Sequence, residues 1–185
     1  MNILVLNGSP KGQNSITLQT VRYIEKLCKH QTFEILHVGQ RIKALEKDFS
    51  PAKEALERAD LILFSYPVYT FVAPYQLHRF IELMKENGVS LKGKYATQIT
   101  TSKHFYDVTA HAYIKENCMD LGLRYIRGLS ADMDDLLKEK GQKDELGGKK
   151  PKKAKGPVKA VQLPLECDVA IENGQRRKNQ GDDKP

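Results

Sequence analysis

Asn7, Ser9, Ser15 and Thr17 fall in one stretch, Asn7-Gly8-Ser9-Pro10-Lys11-Gly12-Gln13-Asn14-Ser15-Ile16-Thr17, where the apolar run Ile3-Leu4-Val5-Leu6 gives way to a helical pattern. A buried strand that breaks into such a loop and then feeds a helix turns free backbone N–H groups and the positive end of the helix dipole toward an anion. The hydroxyls of Ser9, Ser15 and Thr17 add neutral donors. Gly, Ser, Pro and Asn also make ordinary strand-to-helix turns, so the loop alone leaves both readings open.

The stretch lacks G-x-x-x-x-G-K-[ST], because Gln13 and Asn14 follow Gly12 where an NTPase places its lysine and hydroxyl residue. It also lacks G-x-G-x-x-G, which argues against a dinucleotide site at this turn. Neutral hydroxyls and amides with no obligatory metal suit a phosphate monoester, such as that of FMN.

Two further segments carry candidate chemistry. Ser65-Tyr66-Pro67-Val68-Tyr69-Thr70-Phe71-Val72-Ala73-Pro74 packs three aromatics and two prolines into a stiff apolar rim that suits a flavin ring. Tyr69 is read as ring-facing; Phe71 fits equally a ring-facing role and core packing against the next helix. Thr100-Thr101-Ser102-Lys103-His104-Phe105-Tyr106-Asp107 supplies hydroxyls, an imidazole and a phenol. A donor there stabilises negative charge on the N1 and O2 edge of a reduced flavin, and His104 is the candidate. His104 and His111 as a metal pair are set aside, because no carboxylate or cysteine stands at ligand spacing; no metal site is expected. His111 reads as a helix residue at the cleft rim.

These segments need elements to hold them. Val21, Ile24, Leu27 and Cys28 predict an amphipathic helix over 14–29, followed by a strand over 33–38. Ser50 and Pro51 mark an N-cap and first helical position, with Ala52, Ala55, Leu56 and Ala59 on one face. Leu61-Ile62-Leu63-Phe64 reads as a central parallel strand. Ala73, Leu77, Phe80, Ile81 and Met84 give the clearest helical periodicity, closed by Gly88. A strand over 95–101, a helix capped by Asp107 and ended by Gly122, a strand over 123–129 and a short helix over 131–146 complete the pattern. The expectation is an α/β, flavodoxin-like three-layer sandwich with a five-stranded parallel sheet in the order 2-1-3-4-5. The three segments then meet at the carboxyl ends of strands 1, 3 and 4.

The chain has 185 residues and a formal net charge of +7, of which residues 149–185 carry +5. This divides it into a near-neutral domain over 1–146 and a basic, poorly ordered tail over 147–185, within which residues 158–171 form a modest apolar patch. A lysine-rich terminus is more simply a solvated one, and no nucleic-acid module is recognisable, so nucleic acid is not the expected partner. Without a membrane-length apolar run or a leader-like start, the expectation is a cytoplasmic protein. Cys28, Cys118 and Cys167 are too scattered for a disulfide framework or a cluster site; Cys28 and Cys118 read as core residues on helix faces.

Asn7-Gly8-Ser9-Pro10-Lys11 through Thr17 resembles the N-G-S-P-[KR] phosphate loop of the NAD(P)H-dependent FMN reductases and multimeric flavodoxins. Tyr66-Pro67-Val68-Tyr69-Thr70-Phe71 resembles their S-P-V-Y-W-G ring loop, and Thr101-Ser102-Lys103-His104-Phe105-Tyr106-Asp107 is similar to the T-S-x-H-F-Y-D segment of one subgroup. The likeness covers residues 1–140. It implies non-covalent FMN, with Ser9, Lys11, Asn14, Ser15, Ile16 and Thr17 at the phosphate, Pro67, Val68, Tyr69, Thr70 and Phe71 along the ring, and Thr101 and Ser102 at the third side. It also implies an oxidoreductase passing reducing equivalents from NAD(P)H, or from a reduced iron–sulfur protein, to a quinone, flavin or similar small acceptor, often as a homo-oligomer. An electron carrier without turnover is the alternative. Thr70-Phe71 departs from the family's Trp-Gly, and a lone Cys167 cannot ligate a cluster.

Overall fold

The computed structural model describes residues 1–103 and 106–133. The expectations for His104, for Cys167, for the 131–146 helix beyond residue 133, for a domain limit at 146 and for the tail over 147–185 lie outside the described residues. Strands β1 (Asn2–Asn7), β2 (Thr32–Leu36), β3 (Leu61–Pro67), β4 (Tyr95–Ser102), β5 (Arg124–Tyr125) and β6 (Leu129–Asp132) form one parallel sheet. Its order is β2-β1-β3-β4-β5, with β6 continuing beside β4. The expected strand order is thus the observed one, except that the fifth strand is broken. Ala96 lies opposite Tyr125 and Ile99 opposite Leu129, so three residues on the outer strand face two on β4, which is a bulge. Ala131 and Asp132, expected to open a helix, belong to β6 and are buried.

Both sheet faces are covered, which is why β1 and β3 read as continuous apolar runs. Ile3, Val5, Leu63 and Ile99 pack with Leu18 and Val21 of α1 (Ile16–Leu27). On the other face Leu4, Leu6, Ile62, Phe64 and Tyr66 meet α2 (Val38–Leu45), α3 (Ser50–Arg58), α4 (Tyr75–Glu86) and α5 (Val108–Asp120). Leu77, Phe80, Ile81 and Met84 are the buried stripe of α4 predicted from periodicity. At the end of α5 the Leu123 N–H reaches back to the Cys118 carbonyl, as expected of a glycine stop at Gly122.

Helix α2 is not predicted by the sequence, whose pattern extends the second strand to Val38. The strand ends at Leu36, His37 stands alone, and Val38, Ile42 and Leu45 then bury one face at i, i+4 and i+7. Three local expectations also shift. Residues 12–14 form a 3-10 turn, so α1 starts at Ile16 with Ser15 in the N-cap position. Ser50 is inside α3, and its N–H is met by the Asp48 carboxylate at 3.0 Å. Cys28 is half-buried just beyond the end of α1, whereas Cys118 is in the core, where burial pushes its thiol up to about 12.

Candidate functional site

The carboxyl ends of β1, β3 and β4 bring the three segments together. After β1 the chain turns tightly: the Gly8 N–H donates to the Ser65 carbonyl at 2.9 Å, and the Gly12 N–H donates to the Ser9 carbonyl at 3.1 Å. Gly12 has φ +55, a conformation that glycine adopts without a Cβ clash. Asn7, fully buried, organises the loop from beneath. Its Oδ1 accepts the Ser9 N–H at 3.2 Å, and its Nδ2 donates to the Gly12 carbonyl at 3.0 Å. The Lys11 N–H donates to Ser9 Oγ at 3.3 Å.

Of the residues expected to hold an anion, Ser9, Ser15 and Thr17 are buried, while Lys11, Asn14 and Ile16 are exposed. Ser15 occupies the N-cap position of α1, yet its hydroxyl makes no capping bond. The first i→i−4 bond of the helix runs from the Gln19 N–H to the Ser15 carbonyl, so the N–H groups of 16–18 are those a helix leaves for another partner. Thr17 Oγ1 lies 2.6 Å from Thr101 Oγ1, joining the start of α1 to the end of β4.

The segment after β3 makes a tight reversal. Tyr69 and Val72 exchange two backbone hydrogen bonds, of 3.0 and 3.1 Å, around Thr70 at φ +48 and Phe71 at φ +71. Both central residues are non-glycine and left-handed, an arrangement that costs energy and recurs where a ligand is clamped. Pro67 and Val68 are half-buried, and the Val68 N–H donates to the Thr101 carbonyl at 2.9 Å. Tyr69 is 45% exposed and Phe71 52%, so Phe71 is not core packing for α4; its ring meets Tyr106 edge-on at 5.5 Å between centroids. The two open readings of Phe71 thus narrow to the rim.

Beyond β4 the ends of the third segment are pinned by a cluster that sequence reasoning missed. Asp107 occupies the N-cap position of α5, but its carboxylate makes no cap. It accepts from the hydroxyls of Ser130 and of Thr100, the latter at 2.9 Å, with His111 Nε2 at 3.4 Å. Thr100 spends its one proton on Asp107, so His111 Nε2, 2.8 Å from Thr100 Oγ1, supplies the proton of that bond. Burial by itself would raise the affinity of Asp107 for a proton. Hydrogen bonds from His111, Ser130 and Thr100, with the charge of His111, outweigh burial and hold the carboxyl below its ordinary range. His111, in the first turn of α5, is thus tethered to Thr100 and Asp107. Next to the cluster, buried Gln98 accepts from the Tyr66 phenol at 2.5 Å and donates to the Tyr125 hydroxyl and the His111 carbonyl.

Ser102, buried at the end of β4, has a hydroxyl with no hydrogen-bond partner among the described residues; Ser65 Oγ at the end of β3 has none either. Such groups carry a desolvation cost that a ligand can relieve. His37, also missed, stands at the carboxyl end of β2 with Nδ1 3.1 Å from Asn7 Nδ2. Its position is its one sequence signal, since residues at the carboxyl ends of strands in open α/β sheets face the ligand crevice. Among the described residues no group of three or more His, Cys, Asp or Glu could hold a metal ion, and no helix is long and apolar enough to cross a membrane.

The sheet order and the loop-ended carboxyl edge define a flavodoxin-like α/β protein. The chain belongs to the flavodoxin-like fold family, which matches residues 1–133. It is 26% identical over 118 residues to a Pseudomonas syringae pv. tomato protein named FMN-dependent NADH:quinone oxidoreductase 2; the match covers 48% of this chain and 56% of that protein. The chain thus spans about half the length of that curated relative. Among solved structures, Smu.1420 from Streptococcus mutans superposes with a TM-score of 0.63 at 15% identity, covering 78% of this chain and 94% of the other. An FMN-dependent NADH-azoreductase from Bacillus anthracis, in complex with FMN, gives 0.58 at 14% identity, covering 77% and 94%.

Proposed function

We propose that this chain is an FMN-dependent oxidoreductase that passes reducing equivalents from NAD(P)H to a small acceptor such as a quinone or a flavin. The observation that carries this reading is the meeting of three ligand-type features at the β1/β3 switch point. These are the start of α1, where the Ser15 hydroxyl makes no capping bond, the exposed left-handed turn at Thr70 and Phe71, and the unpartnered Ser102 hydroxyl at the end of β4. The donor set fits a phosphate monoester, being neutral hydroxyls and helix N–H groups with no carboxylate among them.

Ser9, Lys11, Asn14, Ser15, Ile16 and Thr17 would hold the phosphate. Pro67, Val68, Tyr69, Thr70 and Phe71 would line the ring and exclude water from it, with Thr101, Ser102 and His104 on the third side. When bound, FMN would supply the redox chemistry between nicotinamide and acceptor, which requires no side-chain acid of the protein. His104 would be the donor toward the N1 and O2 edge of a reduced ring. Tyr69, Phe71, Val72, Tyr75, Tyr106 and Val108 are all exposed along this edge, which favours a second copy of the chain closing over it. The name of the Pseudomonas relative supports NADH as donor and a quinone as acceptor; a reduced iron–sulfur protein is the other candidate donor.

Titration with FMN followed by anaerobic addition of NADH or NADPH tests the reading. Quenching of flavin fluorescence on binding and rapid bleaching by a nicotinamide are expected. Absence of binding overturns it, whereas binding with a flavin reducible only by dithionite selects the electron-carrier alternative.

A further inference from the structure

The start of α2, with His37 just before it, braces the phosphate loop at three points. A Cβ on Gly39 would come 2.3 Å from the Ser9 carbonyl oxygen, and one on Gly12 would come 2.2 Å from Gln40 Oε1. His37, Gly39 and Gln40 therefore bear on Asn7, Ser9 and Gly12 in turn. The hydrogen bonds of Asn7 fix which way its amide faces, since reversal would set oxygen against the Gly12 carbonyl and NH₂ against the Ser9 N–H. Nδ2 thus has one proton left for His37 Nδ1 at 3.1 Å. An Nδ1 that accepts has no proton of its own, so the ring is neutral and protonated on Nε2.

We propose that His37 is a positioning residue of the phosphate loop, that its neutral Nε2–H form holds the loop ready for a phosphate monoester, and that protonation of Nδ1 releases it. A proton on Nδ1 sets two donors face to face, and Asn7 then loses the partner that steadies its bonds to Ser9 and Gly12. The surroundings favour the neutral ring: burial first, then Arg22 of α1 and Arg41 of α2, lower the affinity of His37 for a proton, while β1 faces it with the uncharged Asn7. This inference rests on the phosphate reading of the loop.

Two variants of the full chain separate the possibilities. His37→Asn keeps an acceptor oxygen near the Nδ1 position but does not titrate; His37→Ala keeps none. FMN affinity is measured by fluorescence quenching between about pH 5 and 8, where the phosphate's own second ionisation affects all three proteins alike. From the upper to the lower end, the wild type is expected to lose roughly three- to tenfold more affinity than His37→Asn, and His37→Ala to bind more weakly by a similar factor throughout. Coincident profiles overturn the proposal. So does tighter wild-type binding at the acid end, which would mean that the imidazolium contacts the phosphate directly. Nitrogen NMR of the FMN-free protein supplies a readout independent of flavin: His37 should be protonated on Nε2 and bare on Nδ1 near neutral pH, and the opposite tautomer overturns the brace. Were FMN not to bind at all, the functional reading would fail and the tautomer alone would decide the role of His37.

Discussion

Asp107 sits where a helix cap belongs and spends its carboxylate on Thr100, Ser130 and His111 instead. Replacing it with Asn leaves buried donors facing an NH₂ and is expected to cost about 1–3 kcal/mol near neutral pH. The pH dependence has a definite sign. The folded carboxyl titrates below its unfolded value of about 3.9, so its contribution is complete above that value and is lost as pH falls through the folded one. Thermal unfolding should therefore separate wild type from Asp107→Asn most at neutral pH, and the gap should narrow below about pH 4. A gap independent of pH would mean that ionisation contributes nothing to the cluster. From sequence, Asp107 before a helical run is indistinguishable from an ordinary cap, because the competing partner Ser130 lies 23 residues away. His37 escapes notice for the same reason, lying 30 positions from Asn7. The hydroxyls and aromatics of the three loops were legible because their types cluster locally.

The turn at residues 69–72 carries two left-handed non-glycine residues where β-hairpin reversals ordinarily use glycine or asparagine. The Tyr69–Val72 bond pair closes it, and Pro67 and Pro74 stiffen either side. Thr70→Gly should relieve the strain of a β-branched residue and raise the melting temperature by roughly 2–4 °C; a lower melting temperature would show that the Thr70 side chain is itself a stabilising contact. Gly39→Ala tests the packing of α2 on the loop. With no room for a methyl group, α2 and the loop must part, and FMN affinity is expected to fall by roughly tenfold or more while circular dichroism keeps its α/β form. Unchanged affinity would uncouple α2 from the site. The elements themselves were unevenly legible. Strand β1, its loop and α1 are announced by an apolar run followed by breakers, and α4 by its stripe. Helix α2 follows β2 with His37 alone between, and the one breaker nearby, Gly39, lies inside the helix instead of at the boundary. The break between β5 and β6 is set by register against β4, which no local pattern encodes.

For the molecule as a whole, the proposed ligand is held by loops from three strands, so FMN should stabilise the entire fold by binding it and not the unfolded chain. At a hundredfold excess over the dissociation constant the gain is about 2.7 kcal/mol. That corresponds to a melting shift of roughly 5–10 °C. Riboflavin, which lacks the phosphate, should give a clearly smaller shift; equal shifts would remove the phosphate loop from the site. The 2.6 Å bond between Thr17 and Thr101 adds a consequence of its own. It is a stitch between the first loop's helix and the third loop's strand, two parts of the chain that are 84 residues apart. Whatever orders one margin of the crevice therefore lowers the entropy still to be lost at the other, and the cleft responds to occupancy as a cooperative unit, without requiring any hinge.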